Sequence, residues 1–237
     1  EEMRIQFNPI KDSVGWNRLL LFELFFGILF PLLIFITLGA ALWERGGFQW
    51  DITVLHFIHY YATPQRDSVM VFITSLGNAR FIIPATIVCA VLFARYRRLR
   101  EASFLLLTVG GSAALNVMLK GLFHRARPDL WVSPLPEFGY SFPSGHSMLS
   151  MALALVLVVL IWQTRWRWSV TVVNGVYVLA VGLSRLYLGV HYPSDVLAGW
   201  CISIAWVSSL TLSSGSRKIT AFVRKTSYYG SDVNPQI

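Results

Sequence analysis

Residues 19–43, LLLFELFFGILFPLLIFITLGAALW, form an apolar run interrupted by one charge, Glu23. At about 1.5 Å of rise per residue, such a helix is long enough to cross a hydrocarbon core of about 30 Å. This feature marks the chain as a membrane protein before any motif is considered. The composition agrees: 55% of the 237 residues are hydrophobic and 14% are charged, whereas soluble domains carry about 25% charged residues. The first run is too long for a cleavable signal peptide and lacks a small-residue cleavage site, so it is expected to remain as a span. Met3, which follows Glu1 and Glu2, reads as the native start.

Further apolar runs predict six spans over 18–43, 78–95, 101–121, 145–163, 168–187 and 193–213. The expected fold is an all-α polytopic membrane protein with six transmembrane helices and short interfacial helices in its outward loops. Those short helices are placed at 51–62 and 67–76. Residues 4–17 read as an amphipathic lead-in, and 122–144 as a long loop rich in proline and aromatics. The whole of 1–237 reads as one membrane domain with a polar cytoplasmic tail over 214–237; it has no internal repeat and no soluble second domain.

The net charge of +8 fits basic residues flanking membrane spans. No basic helix or aromatic–basic platform lies outside the apolar runs, so nucleic acid is excluded as a partner. Thirteen of the 20 Lys and Arg fall on alternate connections beginning with the N-terminal segment. Positive-inside then puts both termini in the cytoplasm of a multi-pass inner (cytoplasmic) membrane protein, with the long loops facing the periplasm or exterior. Cys89 and Cys201 lie within apolar segments and are expected to pack as small hydrophobes rather than form a disulfide or metal site.

Chemistry concentrates where the third to sixth spans meet the outer face. Lys120 and Arg127-Pro128 stand in KGLFHRARP, where the proline stops helical continuation. Pro143-Ser144-Gly145-His146 precedes an apolar run. A helix starting there offers free N–H groups and a positive dipole end to a phosphate, and Gly145 permits close approach. Ser184-Arg185, His191 and Asp195 follow. Four residues apart on a helical turn, His191 and Asp195 would share a face, so that the carboxylate orients the imidazole. Cations clustered near hydrocarbon call for a common anionic partner.

These three elements, K-x6-RP over 120–128, PSGH over 143–146 and SR-x5-H-x3-D over 184–195, resemble the type-2 phosphatidic acid phosphatase superfamily, in its bacterial membrane lipid phosphatase branch. Every defining position is matched at the family's spacing. The resemblance implies that His191 attacks phosphorus and forms a phosphohistidine, that Asp195 holds its ring, and that His146 protonates the leaving group and then activates water. Lys120, Arg127, Arg185, Ser144 and the Gly145 N–H would bind the phosphoryl oxygens. Three cations would do the work of a metal, so neither metal nor other cofactor is expected. The implied partner is a lipid phosphate ester or diphosphate in the bilayer. Candidates are undecaprenyl diphosphate, phosphatidylglycerophosphate, phosphatidate, diacylglycerol diphosphate and the lipid A phosphates. Trp131, Phe138, Tyr140 and Phe142 are expected to frame the mouth.

Alternatives are a lipid-to-lipid phosphotransferase of the same family, a non-enzymatic anion or lipid transporter using the same cations, and a vanadium haloperoxidase. The six spans argue against the haloperoxidase, and the paired histidines against a transporter. Several nearby residues lie outside the motifs. His124 and Arg125 are expected to face solvent. Ser184 can bond its own helix or touch substrate. His56 and His59 suit a metal pair by spacing, but with no third ligand evident they are expected to pack at the interface. Cys89-x5-Arg95 matches the tyrosine-phosphatase spacing, yet AVLFA between them contains no glycine and lies inside a span, so no phosphate cradle can form there.

Overall fold

The computed structural model describes Arg18 and residues 20–213. The expected lead-in over 4–17 and tail over 214–237 lie outside the described residues. Every regular element within them is helical. A π-helical stretch, Glu23–Leu29, runs directly into α1, Phe30–Arg45. Then follow α2 (Gln49–His59), α3 (Pro64–Leu76), α4 (Ala79–Arg95), α5 (Leu99–Phe123), α6 (Gly145–Ile161), α7 (Arg167–Tyr187) and α8 (Pro193–Ser213).

Local chemistry sets these boundaries. Gly46 ends α1 in the left-handed conformation at φ 71°, which glycine adopts without a Cβ penalty. The Thr63 hydroxyl accepts from Arg66 N–H, and Pro64 follows at the first helical position, where its missing N–H costs nothing. The Asn78 side chain accepts from Arg80 N–H at the start of α4. At α8, Tyr192 N–H donates 2.9 Å to the Asp195 carboxylate three residues ahead. This is the reciprocal half of a capping box, with Pro193 as the first helical residue.

Among the described residues, five helical stretches are long and apolar enough to cross a membrane: Leu20–Arg45, Pro64–Arg95, Leu99–Phe123, Arg167–Tyr187 and Pro193–Ser213. Gly145–Ile161, the fourth expected span, is apolar but only 17 residues long. The second stretch starts earlier than the sequence implied, because α3 leads into α4 with only Gly77 and Asn78 between them. The expected short helices appear as α2 and α3, starting two and three residues early.

Helix α6 sits centrally, packed against α5, α7 and α8, while α1 lies along α8 and α4 along α5. Met148, Leu149, Ala152 and Val156 of α6 are buried. Gly199 of α8 allows the closest approach to α6: a Cβ there would stand 2.9 Å from the Ser144 carbonyl oxygen. The outward faces carry exposed Leu33, Ile36, Val88, Val91, Val172 and Val176. Such an apolar girdle is costly in water and at home in hydrocarbon. The chain is a multi-pass membrane protein.

Candidate active site

The end of α5, the start of α6, the end of α7 and the start of α8 meet at one end of the bundle. They bring together Lys120, Gly145 and His146, Arg185, and Asp195 with His191 just before it. The 124–144 loop covers them. It is tied down where Ser133 Oγ donates 2.6 Å to the Leu188 carbonyl. Trp131 packs onto Gly189, where a Cβ would meet the indole at 2.6 Å and φ is +67°, so glycine is required at that position on both counts.

His191 is 1% exposed. Its Nδ1 lies 3.3 Å from Asp195 Oδ2, and its Nε2 lies 3.1 Å from Arg127 Nη1. A guanidinium has only donors, so Nε2 is the accepting nitrogen and carries the lone pair. The proton then belongs on Nδ1, facing the carboxylate. Burial first, and then the charges of Arg185 and Arg127, hold the imidazole well below its ordinary pKa of 6.5. The result is a neutral ring with its free nitrogen turned toward the cations, which is the state an attacking imidazole requires.

Those cations already grip an anion. Arg127 Nη2 lies 3.1 Å from Glu137 Oε2, and Arg185 Nη2 pairs with Glu137 Oε1. His146 Nδ1 is 3.9 Å from Glu137 Oε1, and Lys120 lies within electrostatic reach of Glu137, Arg127 and Arg185. Burial alone would raise the Glu137 carboxyl, yet Arg185, His146, His191 and Arg127 together hold it at about 2. Burial lowers the Arg127 guanidinium, partly offset by Glu137. Arg127 is further fixed by donating to the Val190 carbonyl at 2.7 Å and the Gly139 carbonyl at 3.1 Å. Arg185 is fully buried and donates 2.6 Å to Thr74 Oγ1 of α3. The buried His146 Nε2 and Arg185 Nε have no hydrogen-bond partner among the described residues, leaving polar capacity unmet at the site.

The PSGH turn is held from both sides. Asn116 of α5 donates 3.1 Å to the Pro143 carbonyl, and Ser144 N–H donates 3.1 Å to the Asp195 carbonyl. The Ser144 hydroxyl, expected at the phosphate, is buried and accepts from Ser147 N–H and Ser147 Oγ. It caps α6 and so shapes the turn from behind. A Cβ on Gly145 would stand 2.9 Å from Asn116 Oδ1, so this glycine permits close packing against α5. Ser184 donates to its own helix at the Val181 carbonyl, 2.7 Å away.

Two expectations about neighbouring residues are corrected. Arg125 does not face solvent: it is 8% exposed, drawn inward by two carboxylates, Asp51 and Asp195. His124 beside it is exposed, as expected, and meets the Tyr140 ring edge-on. Phe142 does not frame the mouth. It is fully buried and packs with Phe35 and Phe123, whereas Phe138 is exposed. His59 stacks on Trp131 at 3.9 Å, the packing role expected of it.

Two residues of the site, Asp51 and Glu137, were not singled out from the sequence. Glu137 stands nine residues before His146 in an aromatic and proline-rich loop, and its charge amid a cationic cluster was the one available signal. Asp51 offered none.

Residues 101–218 match the family model described as the PAP2 superfamily. Phosphatidylglycerophosphatase B of Bacillus subtilis is 32% identical over 178 residues, spanning 73% of this chain and 87% of that relative. The chain belongs to the PAP2 superfamily. Other members are similarly close. Undecaprenyl-diphosphatase of Sulfolobus acidocaldarius is 30% identical over 188 residues, 76% of this chain and 87% of its own. A crystal structure of a transmembrane PAP2-type phosphatidylglycerolphosphate phosphatase from Bacillus subtilis superposes with a TM-score of 0.72 at 28% identity, covering 79% of this chain and 96% of that one. The PAP2 match begins within α5 and extends beyond α8, so it takes in all three motifs and excludes α1 to α4.

Proposed function

We propose that this PAP2 protein is a membrane lipid phosphatase that hydrolyses a lipid phosphomonoester or diphosphate through a phosphohistidine on His191. The observation that carries the reading is the pairing of His191 with the anion-binding cluster. A neutral imidazole has its free Nε2 3.1 Å from Arg127, and the same arginine grips the Glu137 carboxylate with Arg185. A phosphoryl group bound by Lys120, Arg127 and Arg185 in place of that carboxylate would lie against Nε2.

In the first step the Nε2–P bond forms as the P–O bond to the lipid breaks, and protonated His146 gives its proton to the leaving oxygen. In the second, neutral His146 takes a proton from water. The water oxygen bonds to phosphorus, the N–P bond breaks and inorganic phosphate leaves. Asp195 balances the positive charge that the ring acquires through Nδ1–H. The α6 N-terminus at Gly145 and the three cations stabilise charge on the equatorial oxygens. Because these cations supply the electrostatics, phosphate release is expected to persist in chelator.

The relatives bearing on the substrate are named for phosphatidylglycerophosphate and undecaprenyl diphosphate, and both headgroups fit an anion site at a membrane surface. We place six spans in the membrane, counting α6 as the fourth, with both termini cytoplasmic and the site facing the periplasm or exterior. Basic residues Arg95, Arg97, Arg98, Arg100, Arg165 and Arg167 lie at the bundle end opposite the site, which supports that orientation. Helices α2 and α3 would then lie at the outer interface. The test is a phosphate-release panel over both of these lipids and phosphatidate. Wild type should release phosphate from at least one and His191→Ala from none; release by His191→Ala would overturn the mechanism.

A further inference from the structure

The three motifs end at Asp195, but its hydrogen bonds continue outward. One carboxylate oxygen, Oδ2, faces His191 Nδ1 at 3.3 Å and accepts from Tyr192 N–H at 2.9 Å. The other, Oδ1, accepts from Arg125 Nη1 at 2.6 Å. Arg125 Nη2 in turn donates 2.8 Å to Asp51 Oδ2. Asp51 also accepts from Ser194 N–H at 2.9 Å and from Ser194 Oγ at 2.6 Å. The guanidinium lies 3.9 Å from the centre of the Tyr192 ring. Asp51 is 0% exposed. It is carried by α2, outside every motif and outside the 101–218 stretch that matches the PAP2 family.

We infer that Asp51, acting through Arg125, is a positioning residue that sets the charge and the aim of the Asp195–His191 pair. The inference rests on the nucleophilic role proposed above for His191. Its basis is a charge count inside a buried cluster. Asp51 and Asp195 are carboxylates and Arg125 is a guanidinium, so together they carry one net negative charge. Neutral His191 leaves that charge in place. Once Nε2 bonds to phosphorus while Nδ1 keeps its proton, the ring becomes a cation and the cluster balances. Without the charge of Asp51, Arg125 would be spent on Asp195 alone, and the carboxylate facing His191 would be neutralised from behind. Geometry adds to this: Asp51 grips Ser194 and Arg125 together, and these flank Asp195 on two sides. A buried charge pair of this kind is retained only with its partners in place, which gives α2 a chemical reason to dock against the start of α8.

The test is Asp51→Asn, which keeps the shape and removes the charge, assayed in detergent on the lipid phosphate that the wild type cleaves best. Partners one shell removed from a reacting group change activity by about 10- to 100-fold, and we expect a kcat loss in that range. KM and inhibition by vanadate should move by less than about threefold, because Lys120, Arg127 and Arg185 are untouched. In an Asp195→Asn background the same change should cost little more, since it acts through Asp195. Unchanged kcat in folded Asp51→Asn would overturn the inference. So would a full additional loss in the Asp195→Asn background, or a parallel weakening of vanadate binding, which would mark Asp51 as a mere support of the fold. If Asp51→Asn cannot be recovered folded, Arg125→Lys keeps the charge but not the fork; it should show the same kcat-specific loss, and unchanged kcat there would be equally contrary. A wild type inert on every lipid phosphate would instead overturn the proposed function.

Discussion

Glu137 occupies with its carboxylate the place proposed for the substrate's phosphate, so substrate must displace it. Glu137→Gln removes an internal competitor held by Arg127 and Arg185. Vanadate inhibition is expected to tighten by about tenfold, as a site occupied part of the time loses apparent affinity in proportion. Weaker inhibition would contradict the displacement. His191 carries a second expectation: burial and neighbouring cations lower its pKa, so a lone pair on Nε2 persists as pH falls through histidine's ordinary range. Nitrogen-15 spectra of histidine-labelled protein should show this ring neutral at pH 6.5; a protonation midpoint at or above that value would contradict it. The candidate residues legible in the sequence lie close along the chain: His191 and Asp195 flank the start of α8, and Arg127 follows Lys120, in the last turn of α5, by seven residues. Asp51 meets Arg125 across 74 residues, and no local pattern records a contact closed by tertiary packing.

Helices were legible wherever apolar length marked them, whereas the Thr63-Pro64 start of α3 lies three residues ahead of the expected 67. The junction of α3 with α4 was less legible, because Gly77 and Asn78 make only a short break between two helices. Phe142 was misplaced because an aromatic in a polar loop looks like a surface residue until α1 and α5 are seen to enclose it through Phe35 and Phe123. The turn between α7 and α8 that presents His191 depends on Gly189, with its positive φ and its contact with Trp131. Gly189→Ala should destabilise the protein by about 1–3 kcal/mol through backbone strain alone, with a further cost from the indole contact, read as a lower unfolding midpoint in detergent. Gly110→Ala, where a Cβ meets nothing within 4 Å, should not lower the midpoint. Equal midpoints for both variants would contradict the reading of Gly189.

At the scale of the whole molecule, the apolar runs predicted the bundle, and the charge bias sets an expectation for its orientation. The span count was less legible because α6, enclosed by α5, α7 and α8, is only 17 residues long. Orientation is testable in intact cells, in a background with Cys89 and Cys201 replaced by serine. A cysteine at exposed Phe138 should react with an impermeant maleimide, and one at exposed Trp166 only after permeabilisation; the reverse pattern would invert the topology. The proposed function turns on one covalent event at His191. Purified protein quenched during turnover of a lipid substrate labelled in its phosphate, then digested and sequenced by mass spectrometry, tests that event most directly. We predict a phosphoryl group on the imidazole of His191, absent in His191→Ala. Turnover with the label on His146, or with no labelled protein at any time point, would contradict the account.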